Sequence, residues 1–117
     1  MALKRPRASL LPILAASVLL CVSHALAGEP TTLKVGPSPE SVTRGFGGRL
    51  FVTLMGQSRA PGDGDGRIVS FDETTSTSAD LATGFDDPKG LVFTGTHLVT
   101  ADFKSVWSVD EKGTKTP

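Results

Sequence analysis

The stretch DPKGLVFTGTHLVTADFKSVWSVD, residues 87–110, decides the predicted fold of this chain. It holds three short runs of apolar and β-branched residues, a composition that is typical of strands. Glycine and polar residues separate the runs and favour tight turns. We therefore predict three consecutive strands, at Gly90–Thr94, Leu98–Ala101 and Val106–Val109.

A looser copy of this unit lies upstream, between Pro39 and Asp72. Leu50 and Leu98 are 48 residues apart, whereas Asp72 and Asp110 are only 38 apart, because the loop QSRAPGDGDG (residues 57–66) lengthens the first copy by 10. The alternation of bulky and small residues in LFVTL is that of a packed strand. The strands predicted for the first unit are Glu40–Thr43, Leu50–Leu54, Arg67–Phe71 and Asp80–Thr83.

A period of about 40–50 residues with four strands is typical of one β-propeller blade. The sequence after residue 28 shows no helical periodicity, so we predict an all-β chain in which residues 28–117 form about two blades. A blade needs a neighbour on each face, so we expect these blades to open a longer propeller that continues beyond Pro117. Thr32–Val35 is predicted as a strand that completes the last blade. A small stand-alone β domain is the alternative, because 90 residues can bury a modest core.

Residues 1–27 have the layout of a secretory signal peptide. Lys4, Arg5 and Arg7 precede an apolar run, and the run ends at Ala25-Leu26-Ala27, a small-x-small cleavage site. A membrane anchor is the alternative, but the run is shorter than the roughly 20 residues that span a bilayer. We therefore predict cleavage after Ala27, an exported protein of the periplasm or the cell exterior, and no membrane association after cleavage.

The composition of the chain argues against two classes of function, nucleic-acid binding and thiol catalysis. After cleavage, nine Lys and Arg remain against twelve Asp and Glu, a net charge of −3, which gives no electrostatic footprint for nucleic acid. Cys21 lies inside the signal, so the exported chain has no disulfide and no thiol nucleophile. An exported protein without disulfides suits a bacterial periplasm at least as well as a eukaryotic secretory route.

Several motifs resemble one family of propellers. Those in the first unit are PESV (39–42), GRLFVT (48–53) and GDGRIVSFD (64–72), and those in the second are TGFDDPKGLVF (83–93) and VWSVD (106–110). They look like the opening blades of the SMP-30/gluconolactonase-like propellers, and the NHL-type and strictosidine-synthase-like propellers share much of this pattern. The resemblance implies a six-bladed propeller. It also implies a divalent metal ion at the channel mouth, calcium in preference to zinc, held by acidic and amide side chains from several blades.

Two residues are candidate metal ligands. Glu40 stands at the start of the first inner strand, directly after a proline, where the resemblance implies the first-blade metal glutamate. The enzymes of the family tend to have Glu-Gly-Pro there, and this chain has Glu-Ser-Val; a solvent-exposed strand-end glutamate is the alternative. Asp102 follows the second strand of the second unit and would face the same mouth, with turn capping as its alternative.

Other polar and aromatic residues are predicted to be structural. The D-x-D-G pattern of residues 63–66 is a fragment of a calcium loop, but the closing glutamate is missing and a glycine-rich turn explains it better. His97 is predicted as an exposed turn residue, and Asp86-Asp87 as a turn or strand-end cap. Trp107 and Phe71 are predicted to pack between blades.

Two functions follow from these features. The first is an exported, metal-dependent hydrolase that acts on a sugar lactone or a related ester, with its remaining metal ligands beyond Pro117, so that this stretch alone would be inactive. The alternative is a non-enzymatic NHL-type propeller that binds a protein or a glycan. Propellers host many unrelated functions, so the fold does not decide between the two.

Overall fold

The computed structural model describes residues 28–58, Ala60 and 62–117, and within these bounds the chain is almost entirely β-structure. Residues 31–117 form one compact unit. The predicted signal peptide, residues 1–27, lies outside the described residues. Among the described residues, no helix is long and apolar enough to cross a membrane.

The first sheet has four antiparallel strands in sequence order. A 3₁₀ turn at Phe46–Gly48, the only helical segment in the described part of the chain, connects its first two strands. Gly47 and Gly48 have φ of +60° and +75° in this turn, a backbone region that favours glycine. The strands are β1 (Pro39–Arg44), β2 (Leu50–Leu54), β3 (Gly66–Asp72) and β4 (Thr77–Phe85).

The second sheet repeats this antiparallel order with shorter strands. Its turns are tight: the N–H of Thr94 donates to the carbonyl of His97, and that of Asp102 to the carbonyl of Ser105. The strands are β5 (Lys89–Phe93), β6 (Leu98–Ala101), β7 (Val106–Val109) and β8 (Lys115–Thr116).

The main core lies between the two sheets. Phe51 and Ile68 of the first sheet and Leu98 and Val109 of the second are fully buried in it. Phe46 reaches this core from the 3₁₀ turn, edge-on to Phe51 at a centroid distance of 5.6 Å. Each large apolar side chain buried here contributes about 1.5–3 kcal/mol relative to an exposed one. The sheets are therefore held face to face chiefly by apolar burial.

A smaller cluster covers the opposite face of the first sheet, where Val52, Leu54 and Val69 are buried and Val35 packs against them. Residues 32–35, predicted as the strand that completes the last blade, form no ladder with the described residues and reach β1 through an irregular turn. Their pairing with a last blade stays a prediction. Gly36, at φ +135°, bends the chain so that Val35 acts as a cover for the sheet instead of pairing with it.

Candidate functional site

The first strands of the two sheets meet at a pair of β-bulges. Glu40 is the extra residue of β1 and Gly90 that of β5, since the registers shift between Pro39 and Ser41 and between Lys89 and Leu91. Glu40 Oε2 accepts a hydrogen bond from the backbone N–H of Gly90 at 2.7 Å. Gly90 has φ of +58°, which favours glycine and aims its N–H at the carboxylate.

Ser41 extends this junction by one residue, because its Oγ accepts the backbone N–H of Leu91 at 3.1 Å. The side chains of Glu40 and Ser41 thus accept two successive N–H groups of β5 at its bulge. Glu40 remains exposed to solvent. The geometry therefore fixes an exposed carboxylate, through a short charge-assisted hydrogen bond, where the first strands of both sheets meet.

Asp102, the second predicted metal residue, lies in a different contact. Its carboxylate accepts the backbone N–H of Asp87 at 2.8 Å, of Phe103 at 2.9 Å and of Asp86 at 3.0 and 3.1 Å to its two oxygens. The indole Nε1 of Trp107 donates to Oδ2 at 3.3 Å. Asp102 thus caps a turn, the role given above as the alternative to metal binding. Its carboxylate also accepts the backbone N–H groups of Asp86 and Asp87.

The described residues alone do not form a complete metal centre around these carboxylates. Among the described residues, no three His, Cys, Asp or Glu side chains lie close enough together to hold a metal ion. Glu40 contacts β5, whereas Asp102 holds the link between the sheets. Glu40 is thus the candidate whose carboxylate stays exposed at the meeting point of the first strands.

The loop of residues 57–66 uses its acidic residues to close on itself. Asp65 Oδ2 accepts the N–H of Gln57 at 2.9 Å and of Ser58 at 3.1 Å, and Asp63 Oδ1 accepts the N–H of Asp65 at 3.3 Å. These are turn contacts, as the glycine-rich turn interpretation predicts.

The other residues that the sequence analysis singled out lie in a turn or in packed positions. His97 is exposed in the β5–β6 turn, with Nδ1 3.1 Å from Thr96 Oγ1. Trp107 is half-buried and packs edge-on against Phe85 of the first sheet at a centroid distance of 6.3 Å, so it lies between the sheets as predicted. Phe71 is buried, with 2% of its surface exposed.

Lys115 of β8 is an inter-sheet residue that the sequence did not indicate. Its Nζ donates to the carbonyls of Thr83 at 2.8 Å and Gly84 at 2.7 Å. The same Nζ lies 4.4 Å from the ring centroid of Phe85 and 5.1 Å from that of Trp107. A lysine near the end of a polar stretch carries no sequence signal of this role, because the carbonyls and rings come together only when the sheets pack.

A shallow surface cavity of about 280 Å³ lies beside the 3₁₀ turn. Its rim carries both signs of charge, Arg49 against Asp72 and Glu73. Arg44 donates to Glu73 at 2.7 Å, and this hydrogen bond lowers the pKa of the Glu73 carboxyl. Glu73 is paired with Arg44 beside the rim, and Arg49 and Asp72 carry opposite charges, so the cavity offers no excess charge to a ligand.

Comparison with known proteins adds no identification. No protein-family model matches the sequence, and no curated protein matches it. The relation to gluconolactonase-like propellers therefore stays a prediction based on the motifs of residues 39–110.

Proposed function

We propose that the two sheets are consecutive blades of a β-propeller, six-bladed as the motif resemblance implies, and that the protein is an exported, metal-dependent hydrolase acting on a sugar lactone or a related ester. The support from the fold is the order of the strands: two four-stranded antiparallel sheets follow one another and meet through their first strands. In a propeller, blades of four strands surround a central channel.

The observation that carries the proposal is the exposed Glu40 carboxylate, held by Gly90 N–H at 2.7 Å where β1 and β5 meet. In a propeller this position is next to the channel. Oxygen ligands from several strands suit a hard cation such as calcium, which takes 6–8 of them. Glu40 would be one of these ligands, and its hydrogen bond to Gly90 would orient it.

When bound, such an ion would polarise the carbonyl of the lactone. The residues of this chain contribute by holding the Glu40 carboxylate in position. Gly90 N–H orients one Glu40 oxygen, while Ser41 Oγ fixes the neighbouring backbone of Leu91, so the carboxylate is held by both sheets. Asp102 contributes indirectly, because it fixes the link through which the second sheet is placed.

The test compares Glu40→Gln with Glu111→Gln, an exposed control, in the complete protein with all its predicted blades, because residues 28–117 alone are expected to be inactive. Calcium binding is measured by titration calorimetry, and lactone hydrolysis is followed with and without chelator. We expect Glu40→Gln to lower calcium affinity by at least about tenfold, as changes near metal sites do, and to lower hydrolysis with it. Chelator-sensitive hydrolysis that is unchanged in Glu40→Gln would remove Glu40 from the site.

A non-enzymatic propeller that binds a protein or a glycan is the second candidate. It is favoured by the finding that Glu40 and Asp102 both already accept backbone N–H groups. In that case the complete wild-type protein, with all its blades, hydrolyses no lactone, with or without calcium. Retention of the protein on a panel of immobilised glycans would then support the binding function.

Export is proposed from the predicted signal peptide. Expression of the whole sequence in a bacterium, followed by mass spectrometry of the periplasmic fraction, tests it. A mature chain that begins at Gly28 supports export with cleavage after Ala27. An uncleaved chain in the cytoplasm contradicts it.

A further inference from the structure

Two identical dipeptides follow one another in the loop of residues 57–66. Asp63-Gly64 and Asp65-Gly66 are the Asp-Gly pairs of this sequence, which contains no asparagine. An aspartate followed by glycine is open to attack on its carboxyl group by the next backbone nitrogen, because glycine has no Cβ to hinder the approach. The structure surrounds the two pairs differently, so it distinguishes two sites that the sequence makes alike.

Asp63 and Gly64 lie in the open part of the loop. Both residues are exposed, and a Cβ added at Gly64 would have nothing within 4 Å. Asp63 Oδ1 accepts the backbone N–H of Asp65 at 3.3 Å, a long contact that turns the carboxyl group toward the backbone that follows it. Within the described part of the chain this is the only hydrogen bond of the Asp63 carboxyl group, so the group can rotate toward the Gly64 nitrogen at little cost.

Asp65 and Gly66 lie where the loop joins the sheet, and both are held in place. Asp65 Oδ2 accepts the backbone N–H of Gln57 at 2.9 Å and that of Ser58 at 3.1 Å. Gly66 is buried as the first residue of β3, and a Cβ added to it would lie 2.6 Å from Cδ of Pro88. Attack on the Asp65 carboxyl group therefore requires two hydrogen bonds to break and a packed strand end to move.

We propose that Asp63 is a site of spontaneous isoaspartate formation, and that the fold protects Asp65 from the same reaction. In the first step the backbone nitrogen of Gly64 attacks Cγ of the protonated Asp63 carboxyl group. The C–N bond forms, the C–OH bond breaks, the nitrogen gives up its proton and one water leaves, which produces a cyclic succinimide. A water then opens the ring. Its attack at Cγ restores aspartate, whereas its attack at the main-chain carbonyl carbon leaves the chain running through Cβ and Cγ, as isoaspartate.

The modification adds one methylene to the main chain of the loop. Leu54, the last residue of β2, pairs with Pro39, so the loop leaves the sheet at the end of the strands where Glu40 lies. Isomerisation thus alters a loop at the same end of the sheet as the proposed metal ligand. The contacts that distinguish the two aspartates lie within the first sheet, its loop and the link to β5, so the contrast between them depends neither on further blades nor on a metal ion.

The test incubates the complete protein at mildly acidic pH, which favours the protonated carboxyl group. Trypsin then releases residues 60–67, APGDGDGR, with both sites on one peptide. Isoaspartate has the same mass as aspartate, so the isomers are separated by chromatography and the modified position is identified by electron-transfer fragmentation. We expect isoaspartate to accumulate at Asp63 at least about tenfold faster than at Asp65, because only Asp63 can reach the geometry of attack in the folded protein.

Incubation in concentrated urea removes the fold and serves as the control. The rates at the two positions should then agree within about twofold, because the local sequences are alike. Asp63→Glu should abolish isomerisation at position 63, since the longer side chain disfavours ring closure, whereas the matched variant Asp65→Glu should still isomerise at Asp63. Three outcomes overturn the proposal: no isoaspartate at Asp63 in the folded protein, equal rates at the two positions in the folded protein, or a preference for Asp63 that persists in urea.

Discussion

The carboxylate of Asp102 accepts the indole N–H of Trp107 at 3.3 Å while it holds the backbone N–H groups of Asp86 and Asp87. One side chain thus connects the β6–β7 turn, the tryptophan that packs between the sheets, and the link through which the chain passes from β4 to β5. The placement of the second sheet on the first depends on this acceptor as well as on apolar burial.

Asp102→Asn should therefore destabilise the fold. An asparagine presents one acceptor oxygen and an amide that only donates, so some of these half-buried N–H groups lose their partner. We expect a loss of about 1–3 kcal/mol in the free energy of unfolding, the usual cost of an unpaired buried donor. Urea unfolding followed by fluorescence of Trp107, the one tryptophan of the sequence, measures it. Asp63→Asn is the control, since Asp63 holds one exposed loop N–H at 3.3 Å; an equal loss in both variants would contradict the role of Asp102.

Gly113 is a second point of close approach between the sheets. Its φ is +84°, and a Cβ at this position would collide with the carbonyl oxygen of Leu81 in β4. Gly113→Ala should force the β7–β8 turn away from the first sheet and lower the unfolding temperature clearly. Gly95→Ala is a matched control, with φ +97° and nothing within 4 Å of the added Cβ. Similar losses in the two variants would mean that backbone strain alone, and not the collision, sets the cost.

Lys115 is expected to stabilise the packing of β8 against the end of β4. Lys115→Met keeps the aliphatic stem but removes two hydrogen bonds to carbonyls and the charge that faces two aromatic rings. We expect a loss of about 1–2 kcal/mol, given the usual strengths of such contacts. Chemical unfolding of this variant is compared with that of Lys34→Met, an exposed position. If the two variants unfold at the same urea concentration, the lysine contributes nothing.

Acid should destabilise the fold through its turn-capping aspartates. The backbone N–H of Thr114 donates to Asp110, and that of Thr74 to Asp72, and each lowers the pKa of the carboxyl below its ordinary value of 3.8. A carboxyl with a lowered folded-state pKa stabilises the fold fully above its unfolded-state pKa. That contribution is lost as the pH falls through the folded-state pKa.

Thermal unfolding at neutral pH and at a series of pH values below 3.8 measures this loss. Asp110→Asn should be less stable than wild type at neutral pH, and the difference should shrink as the pH falls. A difference that stays constant down to the lowest pH would show that the charge of Asp110 has no part in the effect.

The strands were predictable where side chains alternate. Leu50–Leu54, Leu98–Ala101 and Val106–Val109 form strands with the predicted bounds, because each places apolar residues in a core. β4 was predicted only at Asp80–Thr83, yet it runs from Thr77 to Phe85. Thr77, Ser78 and Gly84 among its extra residues are polar or glycine and are held by ladder hydrogen bonds, which carry no sequence pattern.

The details of the candidate site were less predictable. The sequence singled out Glu40 and Asp102 as acidic residues at strand ends, but not which N–H groups they hold. Gly90 reaches Glu40 from 50 residues away, and Asp86 reaches Asp102 from 16. Such contacts depend on the position of one sheet relative to the other, which a local pattern does not encode.

The hydrogen bonds between Asp65 and the backbone of Gln57 and Ser58 make the rest of the 57–66 loop structurally independent of the first sheet. Asp65 accepts the N–H groups of Gln57 and Ser58, so the two ends of the loop are joined next to the paired strands β2 and β3. Gly62 lies farther out in the loop, and a side chain added there would have nothing within 4 Å of its Cβ. Natural variation in length and engineered peptide tags alike are therefore best accommodated at Gly62. The short link held by Asp102 offers no such freedom.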